Sequence, residues 1–164
     1  MLHESRLTAE AEFFHNLGQR YWRAEGRTET TLIYLPEHGE PSVQVLIEDA
    51  PPAPERLASR ARAVRAAALI VTGEAWVGSV VTENAARLPA EDRAHPAEMP
   101  GAYEAIITTA VRADGLAVFR ITHIIDGAFG RLLAPQTYTD PGQNPDGMTA
   151  WMRAILTAAT RPAA

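Results

Sequence analysis

Two β-rich runs meet at Asp114-Gly115, and no other feature of the chain constrains its fold as strongly. Asp-Gly between apolar segments is the strongest short-range hairpin signal, because a primed turn needs positive φ at its centre. Tyr103 to Asp126 therefore predicts an antiparallel hairpin. With a two-residue turn, Ala113 pairs with Leu116. That register sets Val111 opposite Val118, Thr109 opposite Arg120 and Ile107 opposite Thr122. On the other face Ala110 meets Phe119, Thr108 meets Ile121, Ile106 meets His123 and Glu104 meets Ile125. The face carrying Ile106, Phe119, Ile121 and Ile125 is the expected core side, and the face with Thr109, Arg120 and Thr122 is the wetter one.

The remaining segments supply what such a hairpin packs against. Residues 8–25 read as a helix with Leu7, Ala11, Phe14, Gly18, Tyr21 and Trp22 in one stripe, Thr8 as N-cap and Gly26 after the last turn. Gly18 inside the stripe implies close packing, since Gly costs about 1 kcal/mol relative to Ala in a helix. Thr30–Leu35 and Val43–Glu48 are strand candidates around the loop Pro36–Pro41. Pro54 opens a second helix with a Leu57, Ala61, Val64, Ala68 stripe. Its flanking Arg56, Arg60, Arg62 and Arg65 read either as an anion-binding face or as a solvated face whose stems cover apolar surface. Residues 69–81 form the longest apolar run and read as a central strand. The strand–helix–strand run from 43 to 81 implies a parallel pair with a right-handed crossover. Residues 82–101 and 127–147 read as long loops, with a short edge strand at Arg131–Ala134. A last helix from Asp146 carries Met148, Trp151, Met152, Ile155, Leu156 and Ala159.

Together these elements give one α+β domain over residues 1–164: a mixed, mostly antiparallel sheet of about five strands with three helices, chiefly on one face. At 164 residues the chain is long enough to bury a core without disulfides or structural metal. It has no cysteine, which excludes thiolate metal sites and cysteine nucleophiles. All 15 basic residues are arginine, which excludes lysine Schiff bases and a Gly-Lys-Ser/Thr phosphate loop. The net charge of −5 argues against nucleic acid as partner. No apolar run reaches the ~20 residues that cross a bilayer, so no membrane association is expected. The first residues lack a signal-peptide pattern, which gives a cytoplasmic expectation.

Chemistry-bearing candidates are few. The five histidines show no metal-ligand spacing, so neither metal nor cofactor is expected. His123, diagonal to Glu104, resembles an acid–base arrangement, and the bland alternative is a core-edge histidine with one hydrogen bond. Glu74 in the middle of a central strand must be paired or hydrated. Arg120 is its expected partner, and Glu74, Trp76 and Arg120 could line a binding pocket on an uncovered sheet face. The alternative is an ordinary ion pair beside a packed aromatic. No serine sits in a nucleophile elbow.

Glu74-Ala-Trp76, followed after a Pro-rich stretch by Glu104-Ala-Ile-Ile, resembles small bacterial and phage-encoded proteins, a likeness that implies no activity. Three readings of function follow. One is a non-catalytic structural or interaction component of a homo-oligomer or larger assembly, with itself or other proteins as partners. Another is a small-molecule-binding module using Glu74, Trp76 and Arg120. The third is an enzyme using Glu104 or Glu74 with His123 as acid–base pair.

Overall fold

A computed structural model describes residues 1–47, 51–77, 98, 101–140 and 146–161. The elements are α1 (Glu4–Glu25), β1 (Thr31–Pro36), β2 (Ser42–Val45), α2 (Pro54–Ala63), β3 (Ala66–Val77), β4 (Tyr103–Arg112), β5 (Ala117–Gly127), β6 (Gly130–Asp140) and α3 (Asp146–Thr160). The strands form a six-stranded sheet in the order β2-β1-β3-β4-β5-β6, and the fold is α+β. No helix among the described residues is long and apolar enough to cross a membrane.

Helices cover both faces. The α1 stripe of Leu7, Ala11 and Phe14 lies on Ile33, Leu35, Ala68, Ile70 and Ala110. Leu57 and Ala61 of α2, with Met152, Ile155 and Leu156 of α3, lie on Leu32, Tyr34, Leu69, Val71 and Val111 from the opposite side. This explains the unbroken apolar runs of the central strands: Leu32–Leu35 and Ala68–Thr72 are buried on both faces, so no polar alternation survives in them.

The sequence-predicted parallel pair is not formed. β1 pairs antiparallel with both β2 and β3, so β2 and β3 run in the same direction with β1 between them. Every ladder in the sheet is antiparallel. A strand as fully buried as β1 needs a partner on each edge for its backbone groups, and inserting it between β2 and β3 supplies both.

The β4–β5 hairpin is present, but its register differs by one from the sequence expectation. Val111 pairs with Ala117, Thr109 with Phe119 and Ala105 with His123. The loop holds three residues, Ala113 to Gly115, closed by Arg112 N–H donating to the Leu116 carbonyl at 2.9 Å. Gly115 takes φ 97°, and the Asp114 carboxylate accepts from the Leu116 N–H at 3.2 Å. A residue added to the loop turns the whole of β5 over relative to β4. Val118, Arg120 and Thr122 therefore share the α1 face with Ile106 and Thr108.

The short edge strand expected at Arg131–Ala134 is part of a longer one: β6 occupies Gly130–Asp140 and pairs along β5. Pro135 disguised its length in the sequence. Thr122 pairs with Thr137 and Ile124 with Leu133, so Ala134, Pro135 and Gln136 together oppose His123 in a bulge. An edge strand with a bulge accommodates a residue without an N–H. Most of the 82–101 segment, and residues 78–81 of the expected central strand, lie outside the described residues.

Candidate functional site

Glu74 is half-buried and paired, but its partner is Arg131 and not Arg120. Arg131, on β6, donates from Nη2 to Glu74 Oε1 at 2.9 Å and to Glu104 Oε2 at 2.7 Å. Its guanidinium carbon lies 5.6 Å from the ring centroid of Trp22, at the end of α1. One arginine thus ties β3, β4, β6 and α1 together. Burial pushes the Glu104 carboxyl above its usual range, and the adjacent Glu74 adds to this against the pull of Arg131. Arg120 shares the sheet face but sits beneath α1, where its guanidinium donates to Glu12 at 3.0 Å. The expected Glu74–Trp76–Arg120 pocket is therefore not assembled. Glu74 and Trp76 do share a face, and Trp76, partly exposed, is the cross-strand partner of Glu104.

His123 lies on the other side of the sheet. It pairs with Ala105 and stacks on Tyr103 with ring centroids 4.0 Å apart. Since neighbouring strand residues point to opposite faces, Glu104 and His123 are separated by the sheet. The one-residue register difference removes the proposed Glu104–His123 acid–base pair. Glu74 is on the same face as Glu104 and is equally cut off from His123. Among the described residues no cluster of three or more His, Asp or Glu side chains could hold a metal ion.

A different histidine occupies the centre of the molecule. His15 is 1% exposed on the sheet side of α1. Its Nδ1 is 2.9 Å from Thr108 Oγ1 and its Nε2 is 2.8 Å from Thr122 Oγ1. Thr108 in turn is 2.7 Å from Thr72 Oγ1, and Thr122 is 2.7 Å from Thr137 Oγ1. Gln19 Nε2 reaches Thr137 Oγ1 at 3.5 Å, and Arg23 Nη2 donates to Gln19 Oε1 at 3.1 Å. Burial, helped by nearby Arg120, lowers the His15 pKa from 6.5 to about 4, so the ring is neutral near pH 7. A neutral imidazole has one donor and one acceptor nitrogen, and both are used here.

Thr72 ends this polar chain in the floor of a groove. The groove, of about 340 Å³, runs between α1 and the β1–β2 hairpin. Phe14, Leu17 and Tyr21 form one wall, Val43 and Val45 the other, and Gly18, Thr31 and Thr72 the floor; Thr28 and Glu29 stand at one end. Gly18 is what opens the floor: a Cβ built there would stand 3.3 Å from Thr72 Oγ1. The sequence expectation of close packing at Gly18 thus has its counterpart in Thr72 and Ile106. The groove is bordered by the edge strand β2, whose outward backbone groups belong to Val43 and Val45. Arg60 of α2 donates to the Val43 carbonyl at 3.0 Å and to Ser42 Oγ at 2.9 Å, which blunts that edge against another strand. Arg62 similarly donates to the Ala158, Ala159 and Arg161 carbonyls at the end of α3.

His15, Thr72, Gly18 and Arg131 went unrecognised in the sequence as parts of a site. A signal existed for His15: it lies one turn after Ala11 on the buried stripe, and Gln19 follows one turn later. A polar residue on that stripe demands partners, and Thr72, Thr108, Thr122 and Thr137 on four strands provide the hydroxyls. For Arg131 no signal was available without the β6 register. No protein-family model matches the chain, and no curated protein or solved structure is significantly similar to it.

Proposed function

We propose that this chain is a non-catalytic binding protein whose ligand is a small apolar molecule held in the groove between α1 and the β1–β2 hairpin. The groove itself carries this reading. Its volume falls at the small end of ligand sites, its walls are aliphatic and aromatic, and Thr31 and Thr72 supply polar groups in its floor, the usual makeup of a small-molecule pocket. The carboxylates Glu74 and Glu104 support the reading by contrast, since both spend an oxygen on Arg131. Ligand-detected NMR titration with isopropylbenzene tests the proposal. Saturable binding is expected, and Val45→Glu, at a half-exposed position of the groove wall, should abolish it while leaving the fold intact. Binding that is absent, or indifferent to Val45→Glu, refutes the reading.

A second reading, a component of a homo-oligomer or larger assembly, draws on one observation. Phe129 is fully exposed at the β5–β6 turn, and the cross-strand pair Ile125 and Leu132 is also exposed beside it, on the last two strands of the sheet. Exposed apolar clusters of this kind mark contact surfaces. Sedimentation of the wild type and of Phe129→Ser tests it: a multimer that the substitution dissociates supports this use of the tip, and a monomer in both refutes it.

A further inference from the structure

One end of the groove carries a charge that its apolar walls lack. Glu29 is the one charged residue among the described residues that line the groove. An ionised carboxylate only accepts hydrogen bonds. Thr31 adds a second acceptor beside it. Its Oγ1 lies 3.3 Å from the Glu29 backbone carbonyl oxygen, and a carbonyl can only accept, so the hydroxyl spends its proton there. What Thr31 has left for a ligand is its lone pairs. The other hydroxyls of the lining, on Tyr21, Thr28 and Thr72, can give or take a proton and suit either kind of partner. The two groups whose direction is fixed therefore agree: both call for a donor, and the charge of Glu29 calls for a cation.

We infer that the ligand of the groove is a small primary amine in its ammonium form, with an apolar body between the walls of Leu17, Val43 and Val45 and its charged head at the Glu29 and Thr31 end. This rests on the groove being a ligand site. An alkylammonium has three donors and no acceptor, the complement of a carboxylate beside a hydroxyl whose proton is already spent. An anionic ligand would meet a like charge at the same end. Arg27 is the competing cation within the chain. Its Nη2 is 3.9 Å from Glu29 Oε1, beyond hydrogen-bonding range, and both side chains are mostly exposed, so this loose pair leaves the carboxylate able to take a ligand.

2-Phenylethylamine, propylbenzene and 3-phenylpropionate share one aromatic body and carry an ammonium, a methyl and a carboxylate at the same place on the chain. Their affinities are measured by NMR titration at pH 7 and low salt, in the wild type and in Glu29→Gln. Glu29 is exposed, so the substitution spares the fold, and the ratio of two affinities within one protein cancels any general effect on the groove. A solvent-accessible ion pair changes affinity by about two- to fivefold. The amine-to-propylbenzene ratio should fall by that factor in Glu29→Gln, and the wild type should bind the amine more tightly than phenylpropionate. A ratio that Glu29→Gln leaves unchanged, or phenylpropionate bound as tightly as the amine, overturns the ammonium assignment, and bound propylbenzene then leaves the groove a ligand site. If none of the three compounds binds the wild type, the groove reading falls and takes this inference with it.

Discussion

Lowering the pH should destabilise this protein through His15. The ring is neutral and buried in the folded state with a pKa of about 4, against 6.5 when free. Between those values the unfolded chain binds a proton that the folded chain refuses, so stability falls as pH falls. The contribution is complete above about pH 6.5, is reduced by about 2 kcal/mol at pH 5 and by about 3 kcal/mol at pH 4. Those losses are large beside the 5–15 kcal/mol that holds a typical domain folded. Carboxylates also titrate at the acid end, so the measurement is a difference. Urea denaturation of the wild type and His15→Gln, from pH 7.5 to 4.5, gives the stability gap between them at each pH. At neutral pH the variant should be less stable by about 1–3 kcal/mol, the cost of disturbing two buried hydroxyl contacts. The gap should shrink steadily below pH 6.5, because the wild type alone carries the titrating ring. A gap that stays constant to pH 4.5 would refute the assignment of a neutral, buried His15.

Three further outcomes follow from the geometry. In double-mutant cycles read by thermal or urea unfolding, Glu74→Gln and Arg131→Met should couple by about 0.5–1 kcal/mol, a value kept small by the partial exposure of Arg131, whereas Glu74→Gln and Arg120→Met should add within about 0.5 kcal/mol. Arg65 is held at φ 52° after α2, so Arg65→Gly should raise stability by about 1 kcal/mol in the same assay. Gly73→Ala should destabilise by about 1–3 kcal/mol, because its Cβ would lie 3.1 Å from the Thr30 Cα on the neighbouring backbone.

Elements whose pattern is local were legible in the sequence. The α1 stripe, the α3 stripe of Met152, Ile155 and Leu156, and the β4–β5 hairpin all appear where periodicity and turn chemistry place them. What failed was decided at a distance. Asp114-Gly115 signals a turn, but a two-residue and a three-residue loop share that signal, and the choice between them sets which face His123 and Arg120 occupy. The length of β6 beyond Ala134 was hidden because Pro135 reads as a strand breaker until the bulge opposite His123 is known. The helix start was misplaced by four residues for a local reason: His3 accepts from the Ser5 N–H and caps α1 ahead of Thr8. The demand that Glu74 be paired was sound chemistry, yet the partner could not be named without β6. Trp22 illustrates the same limit, since its place on the stripe was evident and its contact with Arg131 was not.

The proposed binding function turns on what the α1–β2 groove holds. Amide chemical-shift mapping of the ¹⁵N-labelled protein during titration with isopropylbenzene tests this most directly. Saturable shifts centred on Gly18, Tyr21, Thr31, Val43, Val45 and Thr72, with those of the β5–β6 turn unmoved, are the predicted result. The largest shifts at Phe129, Ile125 and Leu132, or no saturable shift anywhere, would contradict it.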